Sequence, residues 1–455
     1  MMGLQKADDI QAELSRQGQL GWELVNIIVP APMRPALLVF KKELASAGEP
    51  QQVAARLLDH LQAGRTADAE AMLTPQMAAA VPADKLQGLW QSLGELKQRG
   101  PAHSSEQQGL HLVEVPLQFA SGAVIAQVAV NAQDQVAGLL LRPAPAAKAP
   151  PPPSDANYSE ADFSVPQARG ALPGTLSLPK GKGPFPAVVL VHGSGPQDRD
   201  ETIGGNRPFL DIARGLAAQG IAVLRYDKRT HARPQDFQSG SFNVDDETTD
   251  DAIAALSALA ADPRIDGKRI FVLGHSQGGM LAPRIASRWP QARGAILWAA
   301  PARTLLELLP EQNRYLLSLD GSISAPEQAF LNKLAAQIAA ARSETLVPAS
   351  ELPLGVPQAF WKSIEAVNAR GDAVALKKPL LMLHGGRDFQ VPETDWALWK
   401  KALADRTDVQ WKAYPALNHI GIAGSGPSSL KEYAQPGHVD GQLIDDVARW
   451  VESQR

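Results

Sequence analysis

The chain has 455 residues, 44% of them hydrophobic and 20% charged, with a net charge of -4 and no cysteine. That length exceeds what one hydrophobic core usually supports and argues for two or more domains. The weak acidic balance offers no basic footprint for nucleic acid or an anionic membrane, and the lack of cysteine excludes disulfides, thiolate metal sites and a cysteine nucleophile.

In chain order, "ADDIQAELSRQ" has apolar residues at helical spacing, and "GWELVNIIV" and "PALLVFKKE" read as strands closed by Pro30 and by charge. Residues 1–46 resemble a small bacterial domain of unknown function marked by a Gly-Trp-Glu-Leu-Val strand, without the opening strand usual in that family. The first residues show neither the cationic nor the apolar region of a secretory signal, and no run reaches the roughly 18 apolar residues of a membrane helix. The expectation is a chain with no membrane span, with the cytoplasm favoured slightly over a periplasmic or secreted location reached through a trimmed signal. Residues 50–141 open with the helical "EPQQVAARLLDHLQAG" and close in alternating strands such as "HLVEVPLQF" and "AVIAQVAVN". Helices followed by a curling antiparallel sheet resemble the NTF2-like domain of unknown function found ahead of bacterial hydrolases.

The stretch "RPAPAAKAPPPPSDAN" supplies a Pro/Ala-rich linker over residues 142–160, extended because proline lacks a donor and favours polyproline II. From residue 161 to 455 the pattern becomes strand and helix in alternation. "PAVVLVHG", "IAVLRYD", "RIFVLGH", "GAILWAA", "LLMLHGG" and "VQWKAY" are nearly continuous apolar runs, as expected of a mostly parallel sheet covered on both faces. Residues 303–378 form a mostly helical insertion, read as a cap over the carboxyl edge of the sheet, where open α/β sheets bind ligands. Its apolar residues Leu305, Leu306, Leu309, Phe360 and Trp361 read as a core stripe sooner than as a substrate pocket.

The chemistry centres on "FVLGHSQGGM", residues 271–280. With 37 glycines in the chain, a lone Gly-x-Ser-x-Gly is an ordinary accident, so its context decides. Here a buried strand precedes Ser276 and a helical pattern follows it. A nucleophile in that tight turn needs glycine two residues before and two after, and Gly274 and Gly278 meet the need. A serine hydroxyl also needs an imidazole to take its proton and a carboxylate to orient that imidazole. In the order Ser, acid, His, the candidates are Asp388, after the strand in "PLLMLHGGRDFQVP", and His419, in "WKAYPALNHIG". His438 lacks a preceding strand, and Asp440, Asp445 and Asp446 follow His419 and break the order.

An oxyanion hole needs two preorganised N–H groups. Gln277 and Ser194 are the expected backbone donors, with Gly195 as the alternative to Ser194, while His192, Gly193 and His275 support the loop and the elbow. His192 reads as a loop-shaping residue, and Asp198, Asp200 and Glu201 as a solvated or capping run of charge. Neither a metal nor a cofactor is expected.

The stretches "VHGSGPQDRDETIG", "GIAVLRYDKRTH", "GHSQGGMLAPRIA" and "HGGRDFQVP" resemble the serine α/β-hydrolases, in particular the bacterial esterase-like branch that carries an NTF2-like domain in front. The resemblance covers residues 160–455 and implies hydrolysis of a small-molecule carboxylic ester, with Ser276, Asp388 and His419 as the triad. A peptidase or aminoacyl hydrolase, or a thioesterase or acyltransferase, would use the same triad. A scaffold with an inert hydrolase domain is the non-enzyme alternative, and the N-terminal modules or the cap are the surfaces through which a homodimer could form.

Overall fold

The computed structural model describes residues 49–107, 109–119, 122–144, 149–237 and 241–454, with the backbone of three further strands: β1 (Gly3–Leu4), β2 (Glu23–Ile28) and β3 (Ala36–Lys41). The chain forms two compact units, Met1–Pro145 and Ala146–Arg455. The helix expected in "ADDIQAELSRQ" lies outside the described residues. The opening strand expected to be missing exists in short form, since β1 pairs antiparallel with the far edge of β3 in the order β1-β3-β2. Two residues with no alternation to show leave no periodic signal in a sequence.

Within the first unit, α1 (Pro50–Gln62) buries Val53, Ala54, Leu57, Leu58 and Leu61 along one face. Short helices α2 (Thr66–Ala71), α3 (Pro75–Ala80) and α4 (Ala83–Ser92) lead into β4 (Leu96–Arg99), β5 (His103–Gln107), β6 (Leu110–Phe119), β7 (Gly122–Val130) and β8 (Val136–Pro143). All pairings here are antiparallel, in the order β4-β6-β7-β8 with β5 also on β6. Every second residue of β6, Val113, Val115, Leu117 and Phe119, joins the same core as the α1 stripe, as a pleated strand with one covered face requires.

The second unit holds an eight-stranded sheet in the order β16-β15-β14-β13-β11-β12-β10-β9. Its strands are β9 (Tyr158–Val165), β10 (Leu172–Pro179), β11 (Phe185–Val191), β12 (Ala222–Tyr226), β13 (Ile265–His275), β14 (Gly294–Trp298), β15 (Leu380–Gly385) and β16 (Val409–Tyr414). From β16 to β12 every pair is parallel, and β10 runs antiparallel to both β12 and β9. The strand order reverses direction between β11 and β13, the kind of switch point at which open α/β sheets place ligands.

Both sheet faces are covered. Val189, Val191 and Val272 share one core with α7 (Asp250–Ala260) and α8 (Gln277–Arg288); Val188, Leu190, Phe271 and Leu273 share the other with α5 (Pro208–Ala217) and the terminal α15 (Gly441–Ser453). Adjacent residues thus enter opposite cores, which is why these strands read as unbroken apolar runs. A four-residue helix, α6 (Arg229–Ala232), follows β12.

The insertion consists of α9 (Leu305–Leu317), α10 (Ala325–Arg342), α11 (Gln358–Glu365) and α12 (Ala369–Ala375). Glu307 accepts the Thr304 N–H at 2.8 Å and Glu327 that of Ser324 at 2.7 Å, so the first two helices start on reciprocal caps. Leu306, Phe360 and Trp361 are buried in the main core, with Leu305 and Leu309 packed against it. Helices α13 (Glu393–Ala402) and α14 (Leu430–Tyr433) complete the unit before α15. Among the described residues no helix is long and apolar enough to cross a membrane.

The antiparallel edge is stitched by charge. Arg225 of β12, 2% exposed, donates to Asp200 Oδ1 at 2.8 Å, to Glu160 Oε1 on β9 at 3.0 Å and to Ser177 Oγ on β10 at 2.9 Å. Burial raises the pKa of Glu160, but hydrogen bonds and charge from Arg214 and Arg225 outweigh it and hold the carboxyl below its ordinary range. Replacing Arg225 by Met leaves these acids without their buried cation, and a loss of about 3–5 kcal/mol is expected. Urea unfolding of Arg225→Met beside the parent checks this, and an unchanged midpoint would refute it.

Candidate active site

Ser276 stands between the last residue of β13 and the first of α8, with φ 53° and ψ -120°. This is a strained backbone for any residue with a Cβ. Close approach explains the neighbouring glycines: a Cβ on Gly274 would lie 2.1 Å from Gly278 O, and one on Gly278 would lie 2.2 Å from Val191 O. The Ser276 N–H donates to Trp298 O at 2.9 Å, tying the turn to the end of β14.

Asp388 follows the end of β15 and is 6% exposed. Its Oδ1 accepts the N–H groups of Gln390 at 2.8 Å and Val391 at 2.9 Å, which leaves Oδ2 aimed at His419 Nδ1, 2.7 Å away. His419 lies in the loop after β16, at a tight turn organised by Asn418. The Asn418 side-chain oxygen accepts the N–H groups of Ile420 at 3.2 Å and Ile422 at 3.1 Å. With Nδ1 committed to a carboxylate, Nε2 is the nitrogen free to serve a hydroxyl. Among the described residues no hydrogen bond joins Ser276 to this imidazole; such bonds commonly tighten only when substrate binds. The imidazole does sit beside the elbow, because His275 Nε2 lies 3.0 Å from His419 O and the two rings are 4.7 Å apart.

The glycine loop lies against Ser276, since a Cβ on Gly193 would be 3.3 Å from that of Ser276. Gly195 has φ +86°, a conformation natural to glycine in a turn. Glu201 accepts the Gly193 N–H at 2.7 Å, and its other oxygen faces His275 Nδ1 at 2.9 Å, a charge contact poorly aligned as a hydrogen bond. Both side chains are almost fully buried. Burial pushes the His275 pKa down, but Glu201 pushes it up further and the net lies above the ordinary value; Glu201 is raised by burial and lowered more strongly by His275. The expectation that Asp198, Asp200 and Glu201 form a solvated or capping run therefore holds only for Asp198. That residue accepts the N–H groups of Asp200 at 3.1 Å and Thr202 at 2.9 Å, whereas Asp200 and Glu201 are buried in ion pairs. A charged run gives no sign in sequence of which members find buried partners.

Gln277 is fully buried and opens α8, so its backbone N–H belongs to the positive end of the helix. His438 is far from this chemistry in kind: its side chain is 87% exposed and pairs with Asp211. Asp440 accepts the Gln442 N–H as the cap of α15. Among the described residues no cluster of three or more histidines and acids is placed to hold a metal.

His192 is buried, its Nε2 lies 3.0 Å from Asp198 O, and desolvation lowers its pKa to about 4. It is therefore neutral at pH 7, with its ring held at the Asp198 carbonyl. An unfolded chain takes up a proton at this position below pH 6.5 while the folded one does not, so stability falls as pH drops from 6.5 to about 4. That loss amounts to about 3 kcal/mol. Unfolding midpoints measured from pH 7 to 4 should show a shallower decline for His192→Gln than for the parent; identical profiles would refute the assignment.

The family model described as "Serine aminopeptidase, S33" matches residues 184–422, and one for a protein of unknown function, DUF3887, matches residues 54–139. The chain is 37% identical over 408 residues to Esterase EstD of Thermotoga maritima, an alignment covering 88% of this chain and 95% of that protein. It is 27% identical over 289 residues to the monoacylglycerol lipase of Mycolicibacterium smegmatis, covering 59% of this chain and 89% of the lipase. A sheet that is parallel from β12 to β16, crossed by helices on both faces and turning into a helix at a strained serine, agrees with that kinship. The chain belongs to the serine aminopeptidase S33 family of α/β-hydrolases and carries a DUF3887 domain ahead of its hydrolase unit.

Proposed function

We propose that this chain is a carboxylesterase that works through an acyl-enzyme on Ser276. His419, oriented by Asp388, takes the Ser276 proton as the hydroxyl attacks the ester carbonyl. The Gln277 and Ser194 amides receive the negative charge on the carbonyl oxygen. Collapse of that intermediate expels the alcohol, which takes the proton from His419. A water deprotonated by the same histidine then releases the acid. The observation that carries the reading is the buried His419–Asp388 pair, with one carboxylate oxygen already held by two backbone amides, beside a serine in strained geometry. The long alignment with an esterase supports ester over peptide as substrate, while the family's description keeps an aminopeptidase as the second reading.

We also propose, from the sequence, a division into modules at 1–46, 50–141 and 161–455 joined by the 142–160 linker, a cytoplasmic location, and homodimerisation through the N-terminal modules or the cap. In the structure the strands flanking the linker reach Pro143 and Tyr158, and Pro150 O accepts from Arg214. Light scattering of the full chain tests the dimer.

Ser276→Ala should reduce kcat on p-nitrophenyl acetate by about four to six orders of magnitude, with Asp388→Asn lower by about four. Turnover of Ser276→Ala near the parent level would end the proposal. A fluorophosphonate probe should label the parent and not the Ser276→Ala variant. Comparing kcat/KM on short-chain esters, long-chain acyl esters, acyl-CoA and peptide anilides separates esterase from thioesterase and peptidase; a preference for anilides would favour the second reading.

A further inference from the structure

The peptide unit between Gly193 and Ser194 has two polar ends. Its N–H, on Ser194, is one of the two proposed oxyanion donors. Its carbonyl, on Gly193, accepts a hydrogen bond from Lys228 Nζ at 2.8 Å. In a trans peptide these groups point in opposite directions. A cation at the oxygen end therefore draws electron density through the amide and makes the N–H a stronger donor, an effect enlarged in a low-dielectric interior.

Lys228 is 2% exposed and its counter-ion Glu247 is 3% exposed, with Nζ and Oε1 separated by 2.5 Å. Glu247 Oε2 accepts from the Gln277 side chain at 2.8 Å and from Thr248 Oγ1 at 2.6 Å. Gln277 carries the other proposed donor. One buried ion pair thus touches both the Gly193–Ser194 peptide, through its carbonyl, and the Gln277 side chain. The rest of the loop is registered on the same short segment: the Lys228 N–H donates to Gln197 O at 3.0 Å, and Arg199 grips Asp227 through its backbone N–H and its guanidinium, each bond 2.9 Å. The Gly193 N–H, on the other side of the same residue, is held by Glu201.

Stability alone is a weak reason for such a pair, because apolar replacements of a buried ion pair are often neutral or stabilising. We propose that Lys228, neutralised by Glu247, is a positioning residue for the oxyanion hole, fixing and polarising the Gly193–Ser194 peptide so that its N–H meets the tetrahedral intermediate. This rests on the reading of the Ser194 and Gln277 amides as the oxyanion donors.

The test uses the full chain with Lys228→Met/Glu247→Gln, which removes the cation and keeps an acceptor for Gln277, and with Lys228→Gln/Glu247→Gln, which keeps a neutral donor to Gly193. Loss of a whole oxyanion donor lowers kcat by about 100- to 1,000-fold, so loss of its polarisation should cost about 10- to 100-fold. The Met pair should show that fall in kcat on p-nitrophenyl acetate at unchanged KM. Its affinity for an alkyl trifluoromethyl ketone, which forms an oxyanion on the active serine, should fall by the same factor. The Gln pair should recover part of both. A loss confined to KM, or kcat and ketone affinity that do not move together in whichever pair folds, would overturn the proposal while leaving the esterase reading intact. A parent enzyme indifferent to the ketone would overturn both.

Discussion

At the junction of β13 and α8 the backbone of Gly278 passes so close to Gly274 and to the end of β11 that no side chain fits at either glycine. This contact fixes how sharply the chain turns, and so fixes Ser276 in a left-handed conformation that its own Cβ disfavours. The strain is sustained because β13 lies between β11 and β14 in the middle of the sheet, with apolar cores on both faces. Carboxyl ends of β15 and β16 then carry Asp388 and His419 to the same edge of the sheet. Placing three distant residues at one edge requires only that the parallel strands keep their register.

Around that edge lies an unusual amount of buried charge. Desolvating an ion is costly unless its partner and remaining hydrogen bonds are in place, and here three of the buried charged groups bind main-chain atoms. Glu201 takes the Gly193 N–H, its partner His275 reaches His419 O, and Lys228 takes Gly193 O. The Glu201–His275 pair also has a pH window set by two opposite shifts. A carboxylate whose pKa is depressed contributes from its ordinary range upward and stops only as pH falls through the depressed value. A histidine whose pKa is raised contributes fully below the ordinary imidazole range and stops as pH rises through the raised value. Between those two limits the loop, the elbow and the His419 backbone are held together.

Much of the hydrolase unit was legible because its signals are local. Most of the six parallel strands are nearly continuous apolar runs, broken by Arg225 in β12 and by Gln410 and Lys412 in β16, and Ser276, Asp388 and His419 each follow a strand in the order the chemistry needs. Strands β9 and β10 gave no such signal: β9 is an edge strand with exposed Ser159, Ala161 and Asp162 and a half-buried Glu160 in its pattern, and β10 begins Leu-Pro-Gly and ends in proline, residues that read as loop. The roles of Asn418, Glu201 and Lys228 were equally hidden. Each depends on which backbone group tertiary folding brings to a polar side chain, and nothing in the spacing of a loop asparagine or a charged run encodes that. Leu306, Phe360 and Trp361 of the helical insertion show the opposite case, in which helical spacing pointed to the core stripe directly.

Two buried histidines beside one loop titrate in opposite directions, and the reason bears on catalysis. His275 touches Glu201, and its charged form is favoured; for His192 desolvation outweighs the Glu201 and Asp198 charges and the contact with Asp198 O, Lys228 acts against its charged form, and it stays neutral. The side chains that bind the Gly193 backbone, Lys228 and Glu201, are each buried against a counter-charge, Glu247 and His275. An ester carbonyl, itself neutral, gains little from such surroundings. A developing oxyanion gains a great deal, because oriented amides stabilise charge in proportion to how much has formed. A free cation in the same place would bind anionic products and ground states as well, whereas paired charges that only aim and polarise peptides favour the transition state selectively.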